Sequence, residues 1–163
     1  MCALARDSQF LLAQPLSCAL FLPPRRCRFW CKLHCLSARG GAAPCLPVLA
    51  ATFLNLLEAV EPALTAHLSS LGCPAVSIAL PWITSAFVEV LPVQEVLLLW
   101  DRVIGLDSLL VLPVAAAALL AWRAQLLRAA QSIDDVATVL EDWDEVQVVP
   151  LLQALLFLSA PRD

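Results

Sequence analysis

The chain has 163 residues, of which 61% are hydrophobic and 15% are charged, and it contains no tyrosine. This length suits a single domain that can bury a real core, but the composition is more apolar than that of an ordinary soluble domain. Such a chain is embedded in a membrane, buried against a partner, or part of a larger domain. Its four glycines form no phosphate-binding loop, and its scattered carboxylates indicate no acid–base pair.

The net charge of −4 is unevenly distributed along the chain. Residues 1–48 carry six basic side chains and one acidic one, whereas the remainder carries four basic and thirteen acidic ones. Six of the seven cysteines precede residue 46. We therefore predict a boundary near residues 44–47, between a basic, cysteine-rich, irregular leader (1–47) and a helical region (48–163).

The leader contains an apolar run from Phe10 to Leu22, followed by Pro23 and Pro24. Most of its basic residues follow this run, whereas in a secretory signal they precede it. Its arginines, serines and scarcity of acid also fit an organelle transit peptide. We expect a poorly ordered leader and leave the transit-peptide alternative open.

The leader also concentrates residue types that bind metals and nucleic acids. Its potential zinc ligands are Cys27, Cys31, His34, Cys35 and Cys45. Their spacing lacks the paired C-x-x-C pattern of zinc sites, so we predict no metal and reduced thiols. The basic residues around Phe29 and Trp30 are too few to specify nucleic acid or anionic lipid, and we predict no nucleic-acid partner.

The region after the leader predicts a stack of short helices separated by prolines. Its first apolar stripe follows the i, i+3, i+4, i+7 spacing of one helix face: Phe53, Leu56, Leu57 and Val60. Pro62 ends that helix, because its ring does not fit a helix interior, and begins the next one. In the same way, Pro81 predicts the start of a third helix and Pro92 the start of a fourth.

The residues expected to face the core in these later helices are apolar apart from one histidine. They are Leu64, His67 and Leu68 in the second helix, Trp82 and Phe87 in the third, and Val96, Leu99, Trp100 and Val103 in the fourth. We expect His67 to be a core or capping histidine with a satisfied hydrogen bond, and not a metal ligand.

After the fourth helix, the sequence predicts a turn at residues 105–107 and one long apolar helix over about residues 108–128. The uncharged run of this helix, Ser108–Trp122, has 15 residues. A membrane span needs ~20, so we expect a buried core helix. Arg123 and Arg128 fall near its C-terminal end, where cations suit the helix dipole.

Two further helices are predicted before the C-terminus. Ser132 and Asp135 form a short capping-box pattern at the start of one. An acidic turn at residues 141–145 opens the other, over about residues 146–158. Trp143 in that turn is the aromatic residue expected at a partner surface. The other tryptophans of this region are expected in the core: Trp82, Trp100 and Trp122.

Taken in order, these motifs resemble the C-terminal half of a TBC domain, the helical domain of Rab GTPase-activating proteins. That family carries an apolar helix, D-P-x-L-x-x-H-L, P-W-F-x-x-x-F, a leucine-proline turn and an aliphatic run ending in W-D. The matching residues here are Glu61-Pro62-Ala63-Leu64 with His67-Leu68, Pro81-Trp82-Ile83 with Phe87, Leu91-Pro92, and Leu99-Trp100-Asp101. The resemblance covers roughly residues 49–158 and implies an all-α fold of stacked short helices.

The resemblance also implies a partner, a Rab-type small GTPase. In this family an arginine from I-x-x-D-x-x-R and a glutamine from Y-x-Q act on GTP, and both motifs precede the half matched here. The chain has no tyrosine and therefore no Y-x-Q motif. Ile104-x-x-Asp107 matches the I-x-x-D-x-x-R motif only in part, because Leu110 stands at the arginine position. We therefore assign no catalytic, cofactor-binding or metal-binding residue and predict that the chain alone is inactive in GTPase activation.

Three hypotheses follow from the sequence. The first is a TBC-like protein of Rab regulation and membrane trafficking, cytoplasmic or peripheral on endomembranes. The second is a non-catalytic helical interaction module or truncated isoform, whose apolar faces pair with another helical chain. The third is a small membrane-associated helical protein that lies in or on a bilayer.

Overall fold

The computed structural model describes residues 45–88 and 90–158, and these ranges contain helices and turns but no strand. Eight helices follow one another in this part of the chain. They are α1 (Leu46–Val60), α2 (Pro62–Ser70), α3 (Ala75–Thr84), α4 (Val93–Leu106), α5 (Val111–Trp122), α6 (Ala124–Ala129), α7 (Ile133–Val139) and α8 (Val148–Leu158). The predicted all-α fold of stacked short helices is confirmed.

Helix α5 lies at the centre of the stack. Its buried residues are Leu112, Pro113, Ala115, Ala116, Ala117, Ala118, Leu119 and Leu120. Helices α1, α3, α4 and α8 all pack against it, while α2 packs on α6. Because alanine side chains are short, the four consecutive alanines let neighbouring helix axes approach closely. The uncharged run that the sequence assigned to the core therefore occupies the core.

The first two helices form as predicted. Phe53 and Leu57 of α1 are fully buried, and Leu56 and Val60 pack against the core from its edge. Pro62 is the first residue of α2, where its missing N–H costs no helical hydrogen bond.

The third helix begins earlier than predicted. It starts at Ala75, after Pro74, and Pro81 lies inside it. Ser77 N donates to Pro74 O at 2.8 Å and closes the first turn before Pro81 is reached. The ring of Pro81 removes the hydrogen bond to the carbonyl of Ser77. Ser77 and Pro81 are both exposed, so water can reach this side of the helix.

Phe87 is buried as expected, but it lies in a turn after α3 and not on the helix. Ala86 and Phe87 have φ values of +50° and +66°. Two consecutive non-glycine residues in this region cost about 1–2 kcal/mol each. The tight turn nevertheless places Phe87 in the core, with its N–H donating to Trp82 O at 2.9 Å.

The fourth helix begins within one residue of its predicted start, with Pro92 as its N-cap and Val96, Leu99 and Val103 buried, but it extends two residues into the predicted turn at 105–107. It continues through Gly105 and ends at Leu106. The left-handed conformation that closes it belongs to Asp107, at φ +50°. Asp is one of the residues that tolerate this conformation.

The single helix predicted over residues 108–128 is two helices. Helix α5 begins only at Val111, because Asp107 ends α4 and Ser108 Oγ accepts a turn hydrogen bond from Leu110 N at 3.3 Å. Arg123 then interrupts the helix, with ψ of 5°, and its side chain turns toward the loop after α7. The prediction of one continuous helix was therefore wrong at its start and at Arg123.

The last two helices are held by side-chain caps of different kinds. The predicted capping box of α7 is present, since Ser132 Oγ accepts from Asp135 N at 3.1 Å and Asp135 Oδ2 accepts from Ser132 N at 3.0 Å. Helix α8 begins at Val148, two residues later than predicted. Val148 N donates to Glu95 Oε2 of α4 at 2.8 Å, so this cap comes from a residue distant in sequence.

Within residues 45–88 and 90–158, no single helix is long and apolar enough to cross a membrane. The pair α1 and α2, bent by 113°, meets the criterion by length and composition only.

Candidate functional site

The residues that carry the family resemblance are engaged in internal contacts. Trp100 of α4 is half-buried, and its Nε1–H donates to Ala86 O at 3.0 Å. This bond ties the W-D motif of α4 to the turn after the P-W-I motif of α3. The two motifs therefore form one structural unit.

His67 also makes a contact between two parts of the fold, since it joins α2 to the end of α6. Its Nε2 lies 3.0 Å from Ala130 O, at the end of α6. A carbonyl oxygen only accepts hydrogen bonds, so this nitrogen carries the proton and donates it. Arg128 pairs with Glu61 at 3.4 Å and joins the same two regions. The prediction of a histidine with a satisfied hydrogen bond is confirmed.

Four aromatic residues form a cluster that joins α3, α5 and the acidic turn. Trp82 packs against Phe87 with ring centroids 6.2 Å apart, and edge-on against Trp143 at 5.6 Å. Trp122 lies 6.3 Å from Trp143. Edge-to-face and offset aromatic pairs at these separations are attractive beyond the apolar area that they bury.

Two expectations about tryptophan were wrong. Trp143 is only 3% exposed, because it folds inward onto Trp82, so it is not at a partner surface. Trp122 is 41% exposed and lies at the edge of the core. The predicted single helix would have continued its buried face past Trp122, but the interruption at Arg123 leaves Trp122 at the end of α5.

Arg123 lies beside this cluster. Its guanidinium carbon is 4.5 Å from the Trp122 ring centre and 5.6 Å from that of Trp143, and its Nη2 donates to Asp142 O. The position near a helix end was predicted, but the contacts were not. No local sequence pattern connects residues 122–123 with residues 142–143, which meet only because of the tertiary fold.

An open apolar cavity of about 340 Å³ lies between α4, α5 and α8. Its lining consists of Arg102, Leu106, Ser108, Leu110, Val111, Val114, Val149, Leu152 and Gln153. Helix α4 also exposes an apolar stripe at helical spacing, in which Val93 is 73% and Leu97 is 54% exposed. The stripe continues through the half-buried Trp100 and Ile104. These features can bind an apolar helix, and they contain no nucleophile or acid–base pair.

In the described part of the chain, no group of three or more histidine, cysteine or acidic side chains could hold a metal ion. Cys45 and Cys73 are free thiols there. Residues 1–44 of the leader, with its apolar run and the remaining potential ligands from Cys27 to Cys35, lie outside the described residues. The absence of a metal site in the leader therefore stays a prediction.

Comparison with known proteins identifies the class to which this helical stack belongs. The sequence model of the Rab-GTPase-TBC domain matches residues 32–127, more than half of the chain. The chain therefore belongs to the Rab-GTPase-TBC domain family. The match begins within the predicted leader, and the boundary near residue 47 stays a prediction.

One relative is the human (Homo sapiens) protein TBC1 domain family member 19. It is 37% identical over 132 residues, which are 81% of this chain and 24% of that protein. The chain thus spans about a quarter of the length of this relative. No solved structure matches the chain significantly.

Proposed function

We propose that the chain is a TBC-type lobe that contributes to the regulation of a Rab-type GTPase without supplying a catalytic residue of its own. The observation that carries the proposal is the family match over residues 32–127 in a sequence without tyrosine, which cannot contain the family's Y-x-Q motif. The chain alone would then bind a GTPase weakly and leave its hydrolysis rate unchanged.

The positions of the described arginines support the inactive part of this proposal. An arginine finger must project freely toward the phosphates to neutralise the charge of the transition state. Arg123 is held beside Trp122 and Trp143, and Arg128 is paired with Glu61. Arg102 is exposed, but it follows Asp101 on α4 and belongs to no I-x-x-D-x-x-R pattern. We propose a cytoplasmic location, peripheral on endomembranes, in keeping with Rab regulation.

Binding to nucleotide-loaded GTPases tests this function. A panel of Rab-type GTPases is immobilised with a non-hydrolysable GTP analogue or with GDP, and binding of the full chain is measured by biolayer interferometry. We expect at least one GTPase to bind in its GTP form with a Kd of roughly 10 µM or weaker. A Kd of 10 µM corresponds to a binding free energy of about −7 kcal/mol. Absence of binding, or equal binding to both nucleotide states across the panel, would contradict the proposal.

A second candidate function is a non-catalytic interaction module that binds another helical chain. The exposed stripe of Val93 and Leu97 on α4 supports it. Leu97→Glu should then abolish binding to such a partner. Leu126→Glu is the matched control, because Leu126 is 50% exposed on α6, away from the stripe. If both variants bind a partner as the unmodified chain does, this second function is wrong.

A further inference from the structure

The cavity between α4, α5 and α8 has walls that are mainly aliphatic. Six of its nine lining residues are leucine or valine, namely Leu106, Leu110, Val111, Val114, Val149 and Leu152. Water inside such walls finds few hydrogen-bond partners, so an apolar molecule can displace it at little cost. The volume of about 340 Å³ lies within the range of small-molecule sites, roughly 300–1,000 Å³. The cavity therefore favours a small aliphatic ligand.

Three polar side chains line the same cavity, and all three can donate hydrogen bonds: Arg102, Ser108 and Gln153. Arg102 and Gln153 are exposed, which places them at the open side. Ser108 Oγ accepts from Leu110 N at 3.3 Å, and its own O–H is left to donate. Arg102 is the only charged residue among the described residues that line the cavity. The rim is therefore suited to an acceptor that carries a negative charge.

Arg102 differs from the other described arginines because its side chain is not held by a partner. Arg123 lies over two tryptophan rings, and Arg128 pairs with Glu61. Within the described residues, the Arg102 side chain has no ion pair or hydrogen bond. Asp107 follows a lining residue in the chain but does not itself line the cavity. A free guanidinium binds a carboxylate well, because its planar fork donates two parallel hydrogen bonds.

We propose that this cavity binds a free fatty acid, with the aliphatic chain between the helices and the carboxylate on Arg102. A methylene group fills about as much space as a water molecule, ~30 Å³, so the cavity holds roughly ten carbons of a chain. A helix is about 10–12 Å in diameter, so only single side chains of a docked helix would enter. A linear chain fills the cavity better. This inference is independent of the proposed function.

Calorimetric titration of the full chain with fatty acids of increasing length tests the proposal. Hexanoate, decanoate, dodecanoate and tetradecanoate are each used below their micelle-forming concentrations. Decanoate should bind at one site and roughly tenfold or more tightly than hexanoate, because burial of one methylene group strengthens binding up to about fourfold. The gain from dodecanoate to tetradecanoate should be small, since the cavity is then full. Absence of decanoate binding, or a gain that continues undiminished to tetradecanoate, would overturn the proposal.

A charge placed in the wall of the cavity locates the site. Leu106 is an exposed lining residue at the end of α4, so Leu106→Glu leaves the buried core intact. It should weaken decanoate binding roughly tenfold or more, because it replaces apolar wall and repels the carboxylate. Leu97→Glu is the matched control, since Leu97 is an exposed leucine of the same helix that does not line the cavity. An equal loss in the two variants would assign the binding to exposed apolar surface and contradict a site in the cavity.

The head group is tested by pairing a variant with a neutral ligand. Arg102→Gln should weaken decanoate binding roughly fivefold or more, because hydrogen bonds between charged groups are about twice as strong as neutral ones. It should leave the affinity for decanol, which has an uncharged head, nearly unchanged. Arg102→Lys keeps the charge without the fork and should lose less than Arg102→Gln. Equal losses for decanoate and decanol in Arg102→Gln would show that Arg102 does not bind the carboxylate.

Vesicles separate a free fatty acid from the acyl chain of a membrane lipid. The full chain and Leu106→Glu are sedimented with vesicles of phosphatidylcholine, with and without phosphatidylserine. We expect neither protein to be retained and decanoate binding to be unaffected by the vesicles. Retention of the full chain that Leu106→Glu abolishes would mean that the cavity takes the chain of a membrane lipid, and the assignment to a free fatty acid would be wrong.

Discussion

At the scale of single residues, Trp100 accounts for an unusual turn. Ala86 and Phe87 both adopt positive φ, which non-glycine residues avoid. The turn places Phe87 in the core, and the Ala86 carbonyl that it turns inward accepts from the Trp100 indole at 3.0 Å. Burial of Phe87 and this hydrogen bond together offset the backbone cost. A tryptophan at position 100 that did not reach the Ala86 carbonyl would not stabilise the turn.

Replacing Trp100 by phenylalanine removes this hydrogen bond but keeps an aromatic ring. We expect Trp100→Phe to lower the free energy of unfolding by about 1–2 kcal/mol, because the Ala86 carbonyl loses its donor. Urea denaturation measures the change. Trp122→Phe is the control with the same exchange at a position that is 41% exposed, and it should cost less than Trp100→Phe because it breaks no hydrogen bond to Ala86. Equal losses in the two variants would contradict the importance of this bond.

Asp135 is a described residue whose titration is linked to folding. Hydrogen bonds from Gln131 N and from the Ser132 side chain and N–H lower the pKa of this carboxyl from its ordinary value of 3.8. The unfolded chain therefore binds the proton more tightly than the folded chain, and the cap contributes stability above pH 4. That contribution is lost as the pH falls below 4 through the lowered pKa.

The neutral variant Asp135→Asn should remove this part of the acid dependence. Urea midpoints measured between pH 2 and pH 6 should fall less steeply on the acid side for Asp135→Asn than for the unmodified chain. Asp134→Asn leaves the capping box intact and should keep the original slope. An unchanged slope in Asp135→Asn would show that the capping box does not couple folding to this proton.

At the scale of helices, α8 depends on a cap that α4 provides. Glu95 accepts from Val148 N at 2.8 Å, although the two residues are 53 positions apart. The carboxylate satisfies an N–H that has no partner inside its own helix, and its charge suits the positive end of the helix. The start of α8 is therefore fixed by the packing of two helices and not by the residues before it.

Glu95→Ala should weaken α8 specifically. We expect a loss of about 1–2 kcal/mol in the free energy of unfolding, with faster amide hydrogen exchange over residues 148–152. Glu95→Gln keeps an acceptor and should lose less, which separates the hydrogen bond from the charge. Glu58→Ala, at an exposed position on α1, is the control. The cap has no role if exchange in α8 is the same in Glu95→Ala and Glu58→Ala.

Local patterns predicted the helices whose ends depend on nearby residues. Pro62 and the Ser132–Asp135 pair sit at helix starts in the structure as the sequence indicated. The prediction that Pro81 begins the third helix was wrong, because a proline on the exposed side of a helix is tolerated once an earlier turn has formed. The interruption at Arg123 and the late start of α8 depend on partners 19 and 53 residues away. Such partners cannot be read from apolar spacing.

The candidate surfaces were less predictable than the helices. The family motifs were identified by their order along the chain, and the family match agrees with them. The sequence predicted a buried Trp122 and an exposed Trp143, and the structure shows the reverse. Both tryptophans are flanked by residues that fit a buried or an exposed position equally well. Exposure there is decided by where α5 ends and by the direction of the acidic turn. Tertiary packing sets both.

At the scale of the whole molecule, the chain belongs to the Rab-GTPase-TBC domain family, whose model matches residues 32–127. It spans about a quarter of a human relative of the same family. In the described part of the chain, the motif residues stabilise the fold, whereas the exposed features include an apolar stripe on α4 and an apolar cavity. None of these surfaces contains an assigned catalytic group. Under the proposed function, we expect the chain to bind a GTPase without catalysis.

Single-turnover GTP hydrolysis tests this account most directly. Rab-type GTPases loaded with GTP are mixed with the full chain in molar excess, and phosphate release is compared with that of each GTPase alone. We predict less than a tenfold increase in rate for every GTPase, whereas an arginine finger contributes roughly 10³–10⁵-fold. An increase above tenfold that is abolished by Arg102→Ala or Arg123→Ala would contradict the account and identify the chain as a complete activator.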